Sequence, residues 1–282
     1  MDVSPYWNFA DPAASEVAFR KALASPHDLD DELTLQTQIA RTYSLRARFD
    51  DAHALLDRIE PRLSGAGAEP RVRYLLERGR TFRSAQAPER ALPLFVEATD
   101  RAQAAGLDAL EIDAMHMVAL VEPGSEAQLD WNRRALALAR ASSDPLAQRW
   151  EASLANNIGW TLAGAGRYDE ALASFETALA ARERTGKADD IRSARWMIAR
   201  TLRSMSRHDE ALAILRDLER EGEASGDRDG YVFEEIGENL LAQHDDAAAR
   251  PYFAKAWTLL DADHSLDRPG EERLQRLQRL GR

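Results

Sequence analysis

A short motif, Ala-x-x-x-Phe and its variants, recurs along this chain at nearly constant spacing. Its first alanine falls at Ala52, Ala91, Ala171, Ala211 and Ala249, within DDAHALL, ERALPLF, DEALASF, DEALAIL and AAARPYF. A weaker copy has Gln128 there, with Ala135-Leu136 seven residues on. Successive spacings from Ala52 are 39, 37, 43, 40 and 38 residues. Twelve positions before each motif stands a small residue (Ala40, Gly79, Gly159, Ala199, Gly237), with His116 in the weaker copy. A period of this length marks an array in which each repeat is one supersecondary unit.

The clearest copy, Ala152 to Arg184, shows what the unit is. Ile158, Gly159 and Leu162 share one helical face, and Gly164, Gly166 and Arg167 mark a turn. Asp169 and Glu170 then open a second helix, where acidic side chains suit the positive end of the helix dipole. Ala171, Phe175, Ala178 and Leu179 recur on its apolar face at spacings of four and three. Small residues at Gly159, Ala171 and Ala178 let two antiparallel helices approach closely, with Phe175 filling the gap between them.

These features resemble the tetratricopeptide repeat. The resemblance covers almost the whole chain and implies an all-α fold: a right-handed α-solenoid of antiparallel helix pairs, A then B. About six units are expected over residues 31–264, preceded by an N-terminal capping segment (1–30) and followed by a C-terminal capping helix (265–282). Ser15 to Leu23 looks like a lone B helix, and Leu274, Leu277 and Leu280 form a narrow apolar stripe. Such covers are needed because an end repeat otherwise exposes its apolar face. The period is longer than the family's usual 34 residues, and the register is weakest around Val121 to Gly124.

Composition excludes several functions. There is no Cys, so disulfides, thiolate metal sites and a Cys nucleophile are absent. The net charge of −11 opposes non-specific binding to nucleic acid or to an anionic membrane. No apolar run approaches the ~18 residues of a membrane span, and no secretory signal pattern opens the chain. No metal-binding helix, phosphate loop or nucleophile elbow is present. The expectation is a cytoplasmic, non-catalytic protein with no cofactor and no metal. His208 and His244 are expected in solvated turns.

The resemblance also implies a concave groove lined by the A helices. Its face would carry Thr34, Thr37 and Arg41 in the first unit, Arg80 and Arg83 in the second, and Asp113 and Met117 in the third. Asn156 and Trp160 follow in the fourth, Trp196, Arg200 and Arg203 in the fifth, and Tyr231, Glu234 and Glu238 in the sixth. Across all such positions six residues are basic and three acidic. Arg forks bind carboxylates in two-pronged fashion, and Trp and Tyr give flat anchors.

The expected ligand-binding set is therefore Arg80, Arg83, Asn156, Asn157, Trp160, Trp196, Arg200, Arg203, Tyr231 and Glu234. The expected partner is a protein or peptide with an acidic segment. Plainer readings stand beside it. Because 34 of the 37 basic residues are Arg, the face can be merely solvated. Asn157 can bond between helices, and Trp160 and Trp196 can pack between neighbouring A helices. Glu234, Glu235 and Glu238 can pair with Arg200 and Arg203. Arg78 and Arg195 stand at normally apolar positions and are read as snorkelling or paired. Asp113, His116, Trp131 and Asn132 form either a polar pocket or a drift in register. The alternative function is a peptide- or small-ligand-sensing receptor whose superhelix pitch changes on binding.

Overall fold

The computed structural model describes residues 1–263 and 270–282. Among these residues there is no strand. The helices are α1 (Pro12–Leu23), α2 (Leu29–Leu45), α3 (Phe49–Ile59), α4 (Ala68–Ser84), α5 (Pro88–Ala104), α6 (Asp108–Ala119) and α7 (Ser125–Ala141). A short α8 (Pro145–Gln148) precedes α9 (Glu151–Gly164), α10 (Tyr168–Thr185), α11 (Ala188–Ser204) and α12 (His208–Ser225). α13 (Gly230–Ala242), α14 (Asp246–Asp261) and α15 (Glu271–Leu280) complete the chain. The A/B pairs are α2/α3, α4/α5, α6/α7, α9/α10, α11/α12 and α13/α14, so the fold is an α-solenoid of helix pairs. The chain divides into two compact units, Met1–Leu154 and Ala155–Arg282. The expected boundary at residues 264–265 lies outside the described residues.

The residue facing the B-helix aromatic ring decides how closely each pair packs. A Cβ added at Gly79 would lie 2.4 Å from Phe95 Cε1, at Gly159 2.6 Å from Phe175 Cε1, and at Gly237 2.9 Å from Phe253 Cε1. Where the A helix has Ala instead (Ala40, Ala199), the B helix carries Leu56 or Leu215, and all four are fully buried. In the third pair, His116 and Asn132 hold the two positions, and Asn132 donates to the Gln128 carbonyl one turn back at 3.0 Å. Register is kept there, since Ala135 is buried in one cluster with Ile112 and Met115, and polar residues replace the apolar pair. The 43-residue spacing after it accommodates α8, whose Ala147 joins Ile112, Met115, Ala135 and Leu154 in one apolar cluster.

The turn from A to B is the same in five pairs. Ala47, Gln86, Gly166, Ser206 and His244, each five residues before the motif alanine, take positive φ between 56° and 74°. The next residue's N–H then reaches back to the A helix: Arg48 to Tyr43, Ala87 to Phe82, Arg167 to Leu162, Arg207 to Leu202 and Asp245 to Leu240, each at 2.9 Å. This is a Schellman closure, which satisfies a carbonyl left open at the helix end. In the third pair that position is Pro123, whose ring fixes φ near −65°. Accordingly α6 stops at Ala119 and an irregular turn leads to α7.

In the first unit α1 packs on α2 and buries Phe19 completely. In the second, α15 packs on α14 and buries Leu274 and Leu277. His208 is half-buried rather than solvated, its Nδ1 3.1 Å from Asn239 Oδ1 on α13. Arg78 is paired, with Asp57 and the Tyr74 hydroxyl, and Arg195 pairs with Glu221 at 2.7 Å.

Two stability outcomes follow from this packing. Gly159→Ala lowers unfolding free energy by about 1–3 kcal/mol through overpacking. Adding Phe175→Leu recovers most of that loss, with a coupling of about 0.5–3 kcal/mol in a chemical-denaturation double-mutant cycle. Purely additive losses would disprove size matching. Gln86→Gly raises stability by about 0.5–1 kcal/mol, because relief of the left-handed strain exceeds the extra entropy glycine loses. Thermal or urea midpoints check this.

Candidate functional site

The A helices of the second unit bring four of the expected residues into one cluster. Arg200 on α11 lies over two indoles, its guanidinium carbon 5.5 Å from the Trp160 ring and 5.4 Å from the Trp196 ring. Trp196 is one helical turn before Arg200, so both share a face. Its Nε1 donates to the Tyr231 carbonyl at 3.1 Å, and its ring meets the Tyr231 ring edge-on at 6.3 Å. Trp160 stands edge-on to Phe175 at 5.9 Å and remains 39% exposed. One turn before Trp160, the Asn156 Oδ1 is buried and accepts no hydrogen bond.

Arg200 forms no ion pair among the described residues, which its neighbours do. Arg203 donates to both oxygens of Glu235, its Nη2 at 3.3 Å from Oε2. Burial opposes the Arg203 charge, but the Glu235 carboxylate outweighs it and raises its pKa. Glu234 is 7% exposed and receives Nε and Nη2 of Arg273 from α15 at 2.9 and 2.7 Å. Glu238 pairs with Arg276. Arg203 and Glu234 are thus committed to internal pairs rather than facing an open groove, and Arg200 is not their partner. Asn157 accepts at its main-chain carbonyl from the Thr161 hydroxyl at 3.0 Å.

The first unit is built differently. Arg80 on α4 donates to Glu77 at 2.6 Å and to Asp113 on α6. Burial opposes the Arg80 charge, but Asp113 and Glu77 raise its pKa. Burial likewise works against the Asp113 carboxylate, and Arg80 and Arg41 hold its pKa below the usual range. Arg80 is therefore an internal ion-pair residue. Arg83 is exposed and makes no ion pair among the described residues.

Thr34 and Thr37, expected on the groove face, are buried to 1% and 0% exposure. Against the same helix lies the segment Met1–Phe9. Val3 is buried, and Tyr6 and Trp7 pack on Phe19 at ring distances of 5.6 and 5.1 Å. The sequence reading missed this role. The available signal was density: Val3, Tyr6, Trp7 and Phe9 within nine residues.

Chemically, a guanidinium flanked by aromatic faces keeps its N–H edges for a carboxylate. No described helix is long and apolar enough to cross a membrane. No group of three His, Cys, Asp or Glu among the described residues could hold a metal ion.

Residues 150–220, which contain the Trp160–Arg200 cluster, match the tetratricopeptide repeat family model. That stretch carries tetratricopeptide repeats. No curated protein sequence gives a significant match. Among solved structures, the fold is similar to the apo form of RapI at a TM-score of 0.75 and 12% identity, over 93% of this chain and 76% of that one. It is also similar to a signal-transduction ATPase (STAND) with a tetratricopeptide-repeat sensor, PH0952 from Pyrococcus horikoshii, at 0.72 and 13% identity. That match covers 96% of this chain but 42% of the ATPase. NprR in complex with its cognate peptide NprX matches at 0.52 and 15% identity, over 99% of this chain and 81% of NprR. Tetratricopeptide-repeat proteins are generally non-catalytic binding modules.

The polar third pair gives this repeat array a pH dependence. Burial lowers the His116 pKa, and Arg80 and Arg83 add to the effect, against Asp113. Its folded pKa thus lies below the unfolded value of about 6.5. Stability is full above that value and falls as pH drops from it through the folded pKa, because the unfolded chain takes the proton first. Urea titrations at pH 7.5 and 5.5 should show a smaller fall for His116→Gln than for the native chain. His53, also lowered by burial, retains its own share. Equal falls would remove His116 from the account.

Proposed function

We propose that this chain is a non-catalytic, cytosolic binding module that holds an extended peptide, or an extended segment of a protein, on the A-helix face of its second unit. The observation that carries this reading is Arg200, framed by Trp160 and Trp196 and unpaired among the described residues. A ligand carboxylate, from an acidic side chain or a chain terminus, would take the free guanidinium edge. Its apolar neighbours would lie on Trp160 and Tyr231, and a backbone N–H would meet Asn156 Oδ1. Arg203, Glu234 and Glu238 would act as the fixed wall of the site, since their charges are already balanced. Arg80, Arg83 and Asn157 have no part in this cluster.

A second reading has a specific support: the similar NprR was solved with its cognate peptide, and PH0952 carries its repeats as a sensor. In that reading the same site senses a peptide and the repeats change pitch on binding. Small-angle scattering with and without the bound peptide separates a sensor from a static module.

The test is a screen of immobilised extended peptides with acidic or amide side chains at matched positions. Selected peptides should be acidic. Arg200→Glu and Trp160→Ala should each weaken binding at least ~10-fold, equivalent to about 1.4 kcal/mol, with far-UV circular dichroism unchanged. Arg83→Glu should leave affinity unaltered. Equal binding of the same peptides by Arg200→Glu would sink the proposed site.

A further inference from the structure

The A-helix face of the first unit contains two polar atoms that its covering leaves unsatisfied. Arg41 Nε on α2 and Glu77 Oε2 on α4 are both buried and make no hydrogen bond. Glu77 is 2% exposed, and the nearest approach of the two side chains is a 3.8 Å ion pair between Arg41 Nη1 and Glu77 Oε1. Burying such groups without partners costs about 1–3 kcal/mol each. One is a donor and the other an acceptor, on two side chains that approach each other. That combination is complementary to a peptide amide, which offers one C=O and one N–H.

The covering segment satisfies a different part of the face. Trp7 and Phe9 stack at 4.6 Å, nearly parallel, and Arg41 lies over both rings at 5.3 and 5.4 Å. Trp7 Nε1 donates to Gln38 Oε1 at 3.1 Å. The Met1 amino group lies 3.4 Å from Asp31 and from Glu69. Among the described residues, no main-chain group of residues 2–9 hydrogen-bonds to α2 or α4; their main-chain bonds are local or go to Ser15. Phe9 remains 61% exposed. A cleft of about 830 Å³ continues past Met1–Ser4 toward Leu107, Asp108 and Arg149. The segment thus supplies rings but not the backbone amide, and leaves part of the face unfilled.

We propose that the α2–α4 face is a second peptide-binding site, keyed by Arg41 and Glu77, and that residues 1–9 plug it in cis. Its ligand is an extended peptide that places an aromatic pair like Trp7 and Phe9 on Arg41 and a backbone amide between Arg41 and Glu77. Such a peptide keeps the stacking and adds the two missing hydrogen bonds, so it displaces the plug. Charge contributes little to this recognition, because Arg41, Arg73 and Arg80 are balanced locally by Glu69, Glu77 and Asp113. This site rests on observations separate from those at Arg200.

The experiment uses the full chain and a fluorescent synthetic peptide, MDVSPYWNFAD, matching residues 1–11. Anisotropy should show at least tenfold tighter binding to the Trp7→Ala/Phe9→Ala chain than to the native chain. Arg41→Lys in that double variant should weaken it again at least tenfold, and Arg200→Glu should not. A folded double variant that binds no more tightly than native overturns the proposal. So does binding lost on Arg200→Glu, which would assign the peptide to the other site. If the double variant does not fold, hydrogen exchange on the native chain decides. The Trp7 indole N–H and the amides of residues 6–9 should exchange at least tenfold faster than those of Leu35–Ile39. Exchange in step with α2 would make the segment part of the core and overturn the plug.

Discussion

The helix pairs stack because the volume one helix gives up is the volume its partner fills. Glycine faces phenylalanine in three pairs, where an added Cβ would come within 2.4–2.9 Å of the ring. Alanine accompanies leucine in two more, and His116 and Asn132 hold those positions in the third pair. Close packing leaves no slack for a one-sided change. The same contact positions the face proposed for binding. Trp160 follows Gly159 directly, and its ring rests against the edge of Phe175. The distance that glycine permits between α9 and α10 therefore also sets where the exposed indole stands.

The repeat motif made this architecture legible before any coordinates. Ala91, Ala171, Ala211 and Ala249 each mark the buried face of a B helix, and the residue five before each marks a left-handed turn. Only Gly166 among those turn residues announces its conformation by type. At Ala47, Gln86, Ser206 and His244 the Schellman closure imposes it on residues that disfavour it. The third pair was hard to read for two local reasons. Pro123 forbids the usual turn, and the polar residues His116 and Asn132 stand where small and apolar residues normally do. Both are substitutions within an intact register.

The charged residues were less legible, because sequence shows which residues share a face and not which of them meet. Arg80 finds Asp113 33 residues away, Arg203 finds Glu235 32 away, and Arg273 finds Glu234 39 away. Each partner lies roughly one repeat along, so these pairs cross from one A helix to the next, or from α15 to α13. Arg200 and Arg203 sit three residues apart and look equivalent in sequence. They diverge because Trp160 and Trp196 flank the first, while Glu235 reaches the second. The role of residues 1–9 was hidden for a related reason: an aromatic cluster shows an apolar preference, but not the surface that will receive it.

Local pairing also determines what kind of recognition the second unit can support. With a net charge of −11, the protein repels an acidic ligand at distances beyond its surface groups. If a ligand carboxylate binds at Arg200 as proposed, its attraction is short-ranged, arising where the two indoles displace water and strengthen the guanidinium's contact with it. Salt screens the long-range repulsion over about 8–10 Å but reaches a partly desolvated contact far less. A site of this type discriminates by fit within the aromatic frame and not by steering. An Arg paired to glutamate, as Arg203 is, could not serve in its place: a ligand carboxylate would first have to displace Glu235 and leave that buried charge without its partner.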